Sequence, residues 1–291
     1  MLAALAAAAS PIRAAAQAAP TLEVEVRGER RTAFVRAPAA LRGPCPLVLG
    51  FHGGAGNAQG YIANSALFAK GPAAGAIVVC PQGTPIALRL PGDHRIWNSG
   101  PEYGRASNDV DDVAFTRRLI EAASQRYPVD PKRVFVTGFL NGAQMAYRLA
   151  LELADQVAAI APMSGGRLAG AERPARPVPV LHFHGTADTV YPLRGGLGAD
   201  SIGRAPHASI DDVIDEWRRF DGADPQATIE PHDGWAAHIH KGPAPVSLIL
   251  VDGMGHQIAG GGDNHLPGQP MRAEPDAIAM ALRFFGDHPM T

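Results

Sequence analysis

The sequence predicts an α/β fold, with a mostly parallel central sheet and helices on both faces. Three observations predict it. Short continuous apolar runs recur along the chain, as in strands buried on both sides. Between them lie segments whose apolar residues repeat at helical spacing. The two kinds of segment alternate, and alternation implies parallel strands joined by helical crossovers.

In chain order, Leu22–Val26 and Thr32–Val35 read as a strand pair around the turn Arg27-Gly28-Glu29-Arg30. Leu47–Phe51 and Ala76–Cys80 are short apolar runs and read as buried strands. Val113–Ala123 carries Val113, Leu119, Ile120 and Ala123 at helical spacing, with Asp109, Asp111 and Asp112 at its start, where the helix dipole favours acids. Arg133–Thr137 is a strand. Asn141–Leu153 is a helix with Met145, Ala146, Leu149 and Ala150 on one face. Val157–Ala161 and Val178–Phe183 are strands. Ile210–Phe220 is a helix striped by Ile210, Val213, Ile214 and Trp217. Ser247–Val251 is the last strand and Ala277–Phe285 the last helix. The Pro/Gly-rich stretches 83–104 and 192–206 read as loops within a single domain over residues 20–291.

Residues 1–19 have a different texture, alanine-rich and free of acids. Ala16-Gln17-Ala18 fits the small-x-small rule of a signal-peptidase site, so this stretch reads as a signal peptide or a disordered leader. Export to the periplasm or the medium is the expectation. The 291-residue chain is 46% hydrophobic and 19% charged, enough to bury a core. Its formal net charge is −2 and it has no Lys/Arg cluster, which excludes a nucleic-acid partner. No apolar run reaches the roughly 18 residues of a membrane span. A monomer without metal or cofactor is expected. The two cysteines sit at opposite ends of their strands, Cys45 at the start of one and Cys80 at the end of another. Two free, buried thiols are expected, because five residues of strand span about 16 Å.

Four local features fall at the C-terminal ends of predicted strands, where the active-site loops of open α/β sheets gather. His52-Gly53-Gly54 offers backbone N–H groups to a developing oxyanion. Val136-Thr137-Gly138-Phe139-Leu140-Asn141-Gly142 turns from strand to helix with glycines two places either side of Leu140. That is the context of a nucleophile elbow, G-x-S-x-G, with Leu140 at the serine position and the Asn141 N–H as second oxyanion donor. Asp188, after the strand Val178–Phe183, can orient a histidine. His256, flanked by glycine after the strand Ser247–Val251, can reach a neighbouring loop. Taken singly, each reads equally as an ordinary turn or a solvated side chain. Together they follow the order elbow, Asp, His of the α/β-hydrolases.

At this point the chain resembles the secreted polyhydroxybutyrate-depolymerase and feruloyl-esterase-like branch of the α/β-hydrolase fold. The matching pieces are FHGGAGN, RIWNSG with NDVDDVAF, RVFVTGFLNGAQMAYRLA, HGTADTVYP, IDEWRRFDG, VDGMGHQ and RFFGDHP, spread over residues 51–289. The resemblance implies Asp188 and His256 as triad acid and base, and the backbone of Gly53 or Gly54 with that of Asn141 as oxyanion donors. His52, Trp97 and Asn98 are candidates for the substrate pocket, although Trp97 reads equally as core. The substrate class implied is an oligomeric polyester or a polysaccharide-linked ester. Three departures stand out: Leu140 for serine, Ile258-Ala259 for the usual Trp-Pro, and no cysteines after Trp97-Asn98.

Leucine has no lone pair and no removable proton, so the covalent step is lost with it. No serine lies in G-x-S-x-G elsewhere, and Ser164 follows the next strand without an elbow. An impaired or inactive ester hydrolase is therefore expected, and a ligand-binding pseudoenzyme on the same fold is the alternative. His238-Ile239-His240 has the spacing of two ligands on one strand face, but with no third ligand in view it reads as a polar strand.

Overall fold

The computed structural model describes residues 21–88, 91–100, 109–170, 172–201, 206–262 and 268–291. The leader expected over residues 1–19 lies outside the described residues. Twelve strands and six helices are described. The strands are β1 (Thr21–Val26), β2 (Glu29–Arg36), β3 (Cys45–Phe51), β4 (Ile77–Pro81), β5 (Thr84–Pro85), β6 (Arg95–Ile96), β7 (Val129–Phe139), β8 (Ala159–Met163), β9 (Val180–Gly185), β10 (Thr228–His232), β11 (Trp235–His240) and β12 (Val246–Val251). The helices are α1 (Ala58–Ser65), α2 (Leu67–Ala73), α3 (Asp112–Arg126), α4 (Asn141–Glu152), α5 (Ile210–Asp221) and α6 (Ala277–Asp287).

Ten strands form one sheet in the order β1-β2-β4-β3-β7-β8-β9-β12-β11-β10. The six central strands, β4 to β12, run parallel. The outer hairpins join antiparallel at both sides. This is the mostly parallel sheet of the α/β-hydrolase fold.

Period-two alternation divides the core into two layers. Leu47, Leu49, Val134 and Val136 face one side and pack against Phe115 and Leu119 of α3, Met145 and Leu149 of α4, and Trp217 of α5. Val48, Val78 and Phe135 face the other and pack against Tyr61 of α1, Phe68 of α2 and Phe285 of α6. Both faces are thus apolar, which is why the central strands read as continuous apolar runs.

Helix starts are set by side-chain caps. Asn57, Asp111, Ser209 and Asp276 each accept a backbone N–H from the first turn of α1, α3, α5 and α6. The start of α4 differs: Leu140 stands at the cap position and supplies no side-chain bond. Cys45 and Cys80 are free and buried, and the pairing of Leu47 with Ile77 sets them about five residues of strand apart.

The strand order turns at one place. β3 is followed in sequence by β4 on one side, whereas β7 lies on its other side. Loops leaving β3 and β7 diverge there, and that is where an open α/β sheet forms its crevice.

Candidate active site

The register fixes the elbow before any side chain matters. Phe51 pairs with Gly138, and Phe139 with Met163, so the ends of β3, β7 and β8 finish at one level. The chain then reverses into α4 within one residue. Leu140 takes that reversal with φ 51° and ψ −112°. Left-handed φ disfavours residues with a Cβ, and a branched apolar side chain gains no local hydrogen bond there.

Packing leaves the residues around it no freedom. A methyl group on Gly142 would run into the Phe51 carbonyl and lie 2.6 Å from that of His52. One on Gly138 would strike Gly142, and one on Gly165 would strike the Leu140 carbonyl. One on Gly53 would lie 3.5 Å from the Leu140 Cβ, so the loop after β3 abuts the elbow. Gly54 follows in the same turn, half-buried. The Asn141 N–H belongs to the first turn of α4, where backbone donors have no partner within the helix.

Asn141 itself is buried, and its amide clamps the loop opposite. Its Oδ1 accepts the Trp97 N–H at 2.7 Å, and its Nδ2 donates to the Ser99 hydroxyl at 2.7 Å. That loop is anchored in turn by Asp112, which accepts the Asn98 N–H at 2.7 Å and pairs with buried Arg31 at 2.8 Å. Trp97 is fully buried, and its indole N–H donates to the His52 carbonyl at 2.9 Å. The structure therefore makes Trp97 core, behind the elbow.

His52 is also buried. Its Nε2 accepts the Gly83 N–H at 3.1 Å, so Nδ1 carries the proton and donates to the Gly53 carbonyl at 2.8 Å. Burial pushes its pKa down to about 4, helped by Arg95 and opposed by the Gly53 carbonyl. A neutral imidazole thus shapes the Gly53 turn from within. Asn98 is buried too, and its side chain donates to the Val110 carbonyl at 2.9 Å.

Asp188 and His256 are 68 residues apart in sequence and meet at 2.7 Å, His256 Nδ1 to Asp188 Oδ2. Their loops leave adjacent parallel strands, β9 and β12, and are stitched together by Ala187 N–H to the Met254 carbonyl and Gly253 N–H to Thr186 Oγ1. Asp188 Oδ1 accepts the Val190 and Tyr191 N–H groups at 2.9 and 2.8 Å. Burial alone would raise the Asp188 carboxyl, but His256, His184 and the Tyr191 N–H together hold it below its ordinary value. The His256 N–H donates to Gln269 Oε1 at 2.9 Å, and the Phe139 ring lies 4.6 Å from the imidazole. The outer nitrogen of His256, Nε2, is buried and makes no hydrogen bond among the described residues.

The structure brings Leu140, Gly53, Asn141 and Phe139 together at one corner of the sheet, with His256 and Asp188 joined to it through Phe139. Ser164, also at positive φ, is buried and donates its hydroxyl to the Gln257 carbonyl at 2.9 Å. It braces the histidine loop and occupies no elbow. Thr137 donates to the Ala161 carbonyl at 2.7 Å within the sheet. His238 and His240 lie on β11, a strand as expected, where His240 donates to the Asp224 carbonyl at 2.7 Å. Sequence reasoning missed Gln269, which approaches from a distant loop with no motif of its own. It also missed His182, His184 and Tyr147, which sit inside regular elements.

Comparison with known proteins agrees with this architecture. A family profile described as Phospholipase/Carboxylesterase matches residues 44–203. Feruloyl esterase B of Piromyces equi is 30% identical over 240 residues, covering 78% of this chain and 42% of its own length. NocK of Nocardia uniformis subsp. tsuyamanensis, provisionally assigned as an esterase, is 32% identical over 265 residues, covering 82% of this chain and 74% of its own. The chain therefore spans less than half of the Piromyces relative. Among solved structures, the acetyl xylan esterase from Aspergillus awamori superposes with a TM-score of 0.60 at 16% identity, covering 82% of this chain and 94% of that one.

Proposed function

Since the chain belongs to the phospholipase/carboxylesterase family of α/β-hydrolases, we propose that it is an esterase scaffold built for Ser-His-Asp acyl transfer and silenced by leucine at the nucleophile position. The observation that carries this reading is the His256 imidazole: one nitrogen is held by Asp188, and the other is buried and makes no hydrogen bond among the described residues. A buried polar atom left unpaired costs about 1–3 kcal/mol, so its retention asks for a reason. A serine hydroxyl at position 140 supplies one.

With serine there, its Oγ attacks the ester carbonyl while His256 Nε2 takes the proton. Asp188 keeps the imidazole in the right tautomer and stabilises the imidazolium. The N–H groups of Asn141 and of Gly53 or Gly54 receive the oxyanion. Collapse expels the alcohol, which takes its proton from His256. Water then adds to the acyl-enzyme by the same route and releases the acid. Leu140 removes the first of these steps and projects toward the position of the substrate carbonyl. One base change, TCG to TTG, separates the two residues.

The named activities of the relatives favour esters carried on plant-wall polysaccharide, hydroxycinnamoyl or acetyl, ahead of polyester oligomers. The leader composition favours export. No described helix is long and apolar enough to cross a membrane.

The test is hydrolysis of p-nitrophenyl acetate and butyrate by this chain and by Leu140→Ser. The expected result is background activity in the first and a gain of roughly a thousandfold or more in the second. Turnover by the unaltered chain would overturn the reading of Leu140. Silence in both, with saturable ligand binding, would favour a pseudoenzyme.

A further inference from the structure

Behind Asp188 lies a buried row of titratable side chains that the acyl-transfer chemistry does not use. Tyr147, on α4, lies 2.8 Å from His182 Nδ1. His182 Nε2 lies 3.3 Å from His184 Nδ1. His184 Nε2 lies 2.9 Å from the Tyr191 carbonyl and 3.7 Å from Asp188 Oδ2. His182 and His184 are two residues apart on β9 and so share a face of the sheet. Both are fully buried, as is Tyr147.

The protons of this row are determined by its far end. A carbonyl only accepts, so His184 Nε2 carries a proton and its Nδ1 is the acceptor. His182 must then donate from Nε2 and accept at Nδ1, and the Tyr147 hydroxyl must donate. Burial pushes both imidazoles below their ordinary range and the phenol above its own, so all three are neutral near pH 7. Every bond dipole therefore points the same way, with its positive end toward Asp188. The row begins on the elbow's own helix and ends beside the carboxylate. Packing alone does not ask for this: on the neighbouring strand β12, Leu248 and Leu250 stand beside His182 and His184 in the register.

We propose that Tyr147, His182 and His184 form a positioning row that fixes the Tyr191 peptide and, through it, the Asp188 carboxylate that holds His256. The inference rests on the reading of Asp188 and His256 as the acid–base pair. His184 anchors the Tyr191 carbonyl, and the N–H of the same residue donates to Asp188 Oδ1. Without the Tyr147 hydroxyl, the Tyr191 carbonyl still sets the direction of the row, but His182 Nδ1 is left a buried acceptor without its donor. The imidazole that holds His184 then loses one of its two anchors, and the looseness passes through His184 to the Tyr191 peptide.

The test is imidazole ¹⁵N NMR on the full chain, with Leu140 in place. His182 and His184 are expected as neutral Nε2–H tautomers, with a solvent-protected His256 Nδ1–H signal. In Tyr147→Phe, the tautomers stay, the unprotonated Nδ1 of His182 shifts as it loses its donor, and the His256 signal moves or broadens. His182→Leu moves the His256 signal likewise, whereas His182→Gln, which keeps a donor and an acceptor, restores it. In the Leu140→Ser background, Tyr147→Phe lowers kcat about three- to tenfold with KM unchanged, the worth of one hydrogen bond. An unchanged His256 signal in both Tyr147→Phe and His182→Leu would overturn the proposal. The spectra need no turnover, so an inactive Leu140→Ser would count against the esterase reading alone.

Discussion

Leu140 keeps a backbone conformation that its own side chain does nothing to favour. A left-handed residue with a branched side chain costs about 1–2 kcal/mol. The conformation persists because Gly138, Gly142 and Gly165 let three segments close on it, leaving no other path for the chain. The elbow is therefore a property of its neighbours and survives exchange of its central residue. His52 shows the converse, a side chain whose charge state is dictated by its surroundings. Its ordinary pKa of 6.5 falls to about 4 in the folded chain. Below pH 6.5 the unfolded chain takes up a proton that the folded chain refuses. The contribution to stability is complete above pH 6.5, is lost as pH falls toward 4, and amounts to about 3 kcal/mol at most. Urea titrations at pH 7 and pH 4.5 are expected to show a smaller acid loss for His52→Gln than for the parent. An equal loss in both would mean that His52 is already charged in the fold.

At the scale of elements, the same close packing sets the sign of a helix substitution. Alanine normally outranks glycine in a helix by about 1 kcal/mol. In α6, Gly286 has open space around its Cα, so Gly286→Ala is expected to raise stability by roughly 0.5–1 kcal/mol. In α4, Gly142→Ala meets the backbone of β3 and its following loop and is expected to lower stability by about 2–3 kcal/mol. Thermal melts of the two variants check both signs.

Legibility in the sequence followed burial on this scale. The central strands and α3, α4, α5 and α6 were readable because each presents an apolar face of one period to a sheet that is apolar on both sides. The helices α1 and α2 were not, being eight and seven residues long, with Pro72 inside the second. Strand β10 is exposed throughout and carries no alternation to read. β7 runs longer than its apolar stretch because Val129–Lys132, with Asp130 and Pro131, extends it at the exposed end. The candidate site was legible where its residues sit on glycine-marked loops, as with Gly53, Leu140, Asp188 and His256. It was not where a polar group is buried in a regular strand. What His182 is for depends on Tyr147, 35 residues away on another element, and no local pattern records that pairing.

At the scale of the whole molecule, the position of the site follows from strand order. The turn of the order between β3 and β7 opens the crevice, and the parallel strands β9 and β12 deliver Asp188 and His256 to the same edge. Every sequence-marked loop thus converges on one rim, although the residues come from five segments spread over some two hundred positions. Export belongs to this scale too. Expression of residues 1–291 in a secreting bacterial host is expected to yield a chain beginning at Ala19, and N-terminal sequencing decides it. Retention of Met1 would remove the signal-peptide reading and leave a disordered leader. The two native thiols have a use that their burial creates. Cys80 is fully buried, its thiol raised far above its ordinary pKa, and Cys45 is covered at the start of β3. The chain is therefore silent to alkylating reagents, and Leu140→Cys would carry the one addressable sulfur. With His256 as base, that sulfur is expected to take the acyl group of an incoming ester as a thioester, the ester's C–O bond breaking and its alcohol leaving with the proton. Intact-mass measurement after exposure to a mixture of natural esters would then weigh the acyl group directly, so position 140 marks the place from which a substrate can be identified.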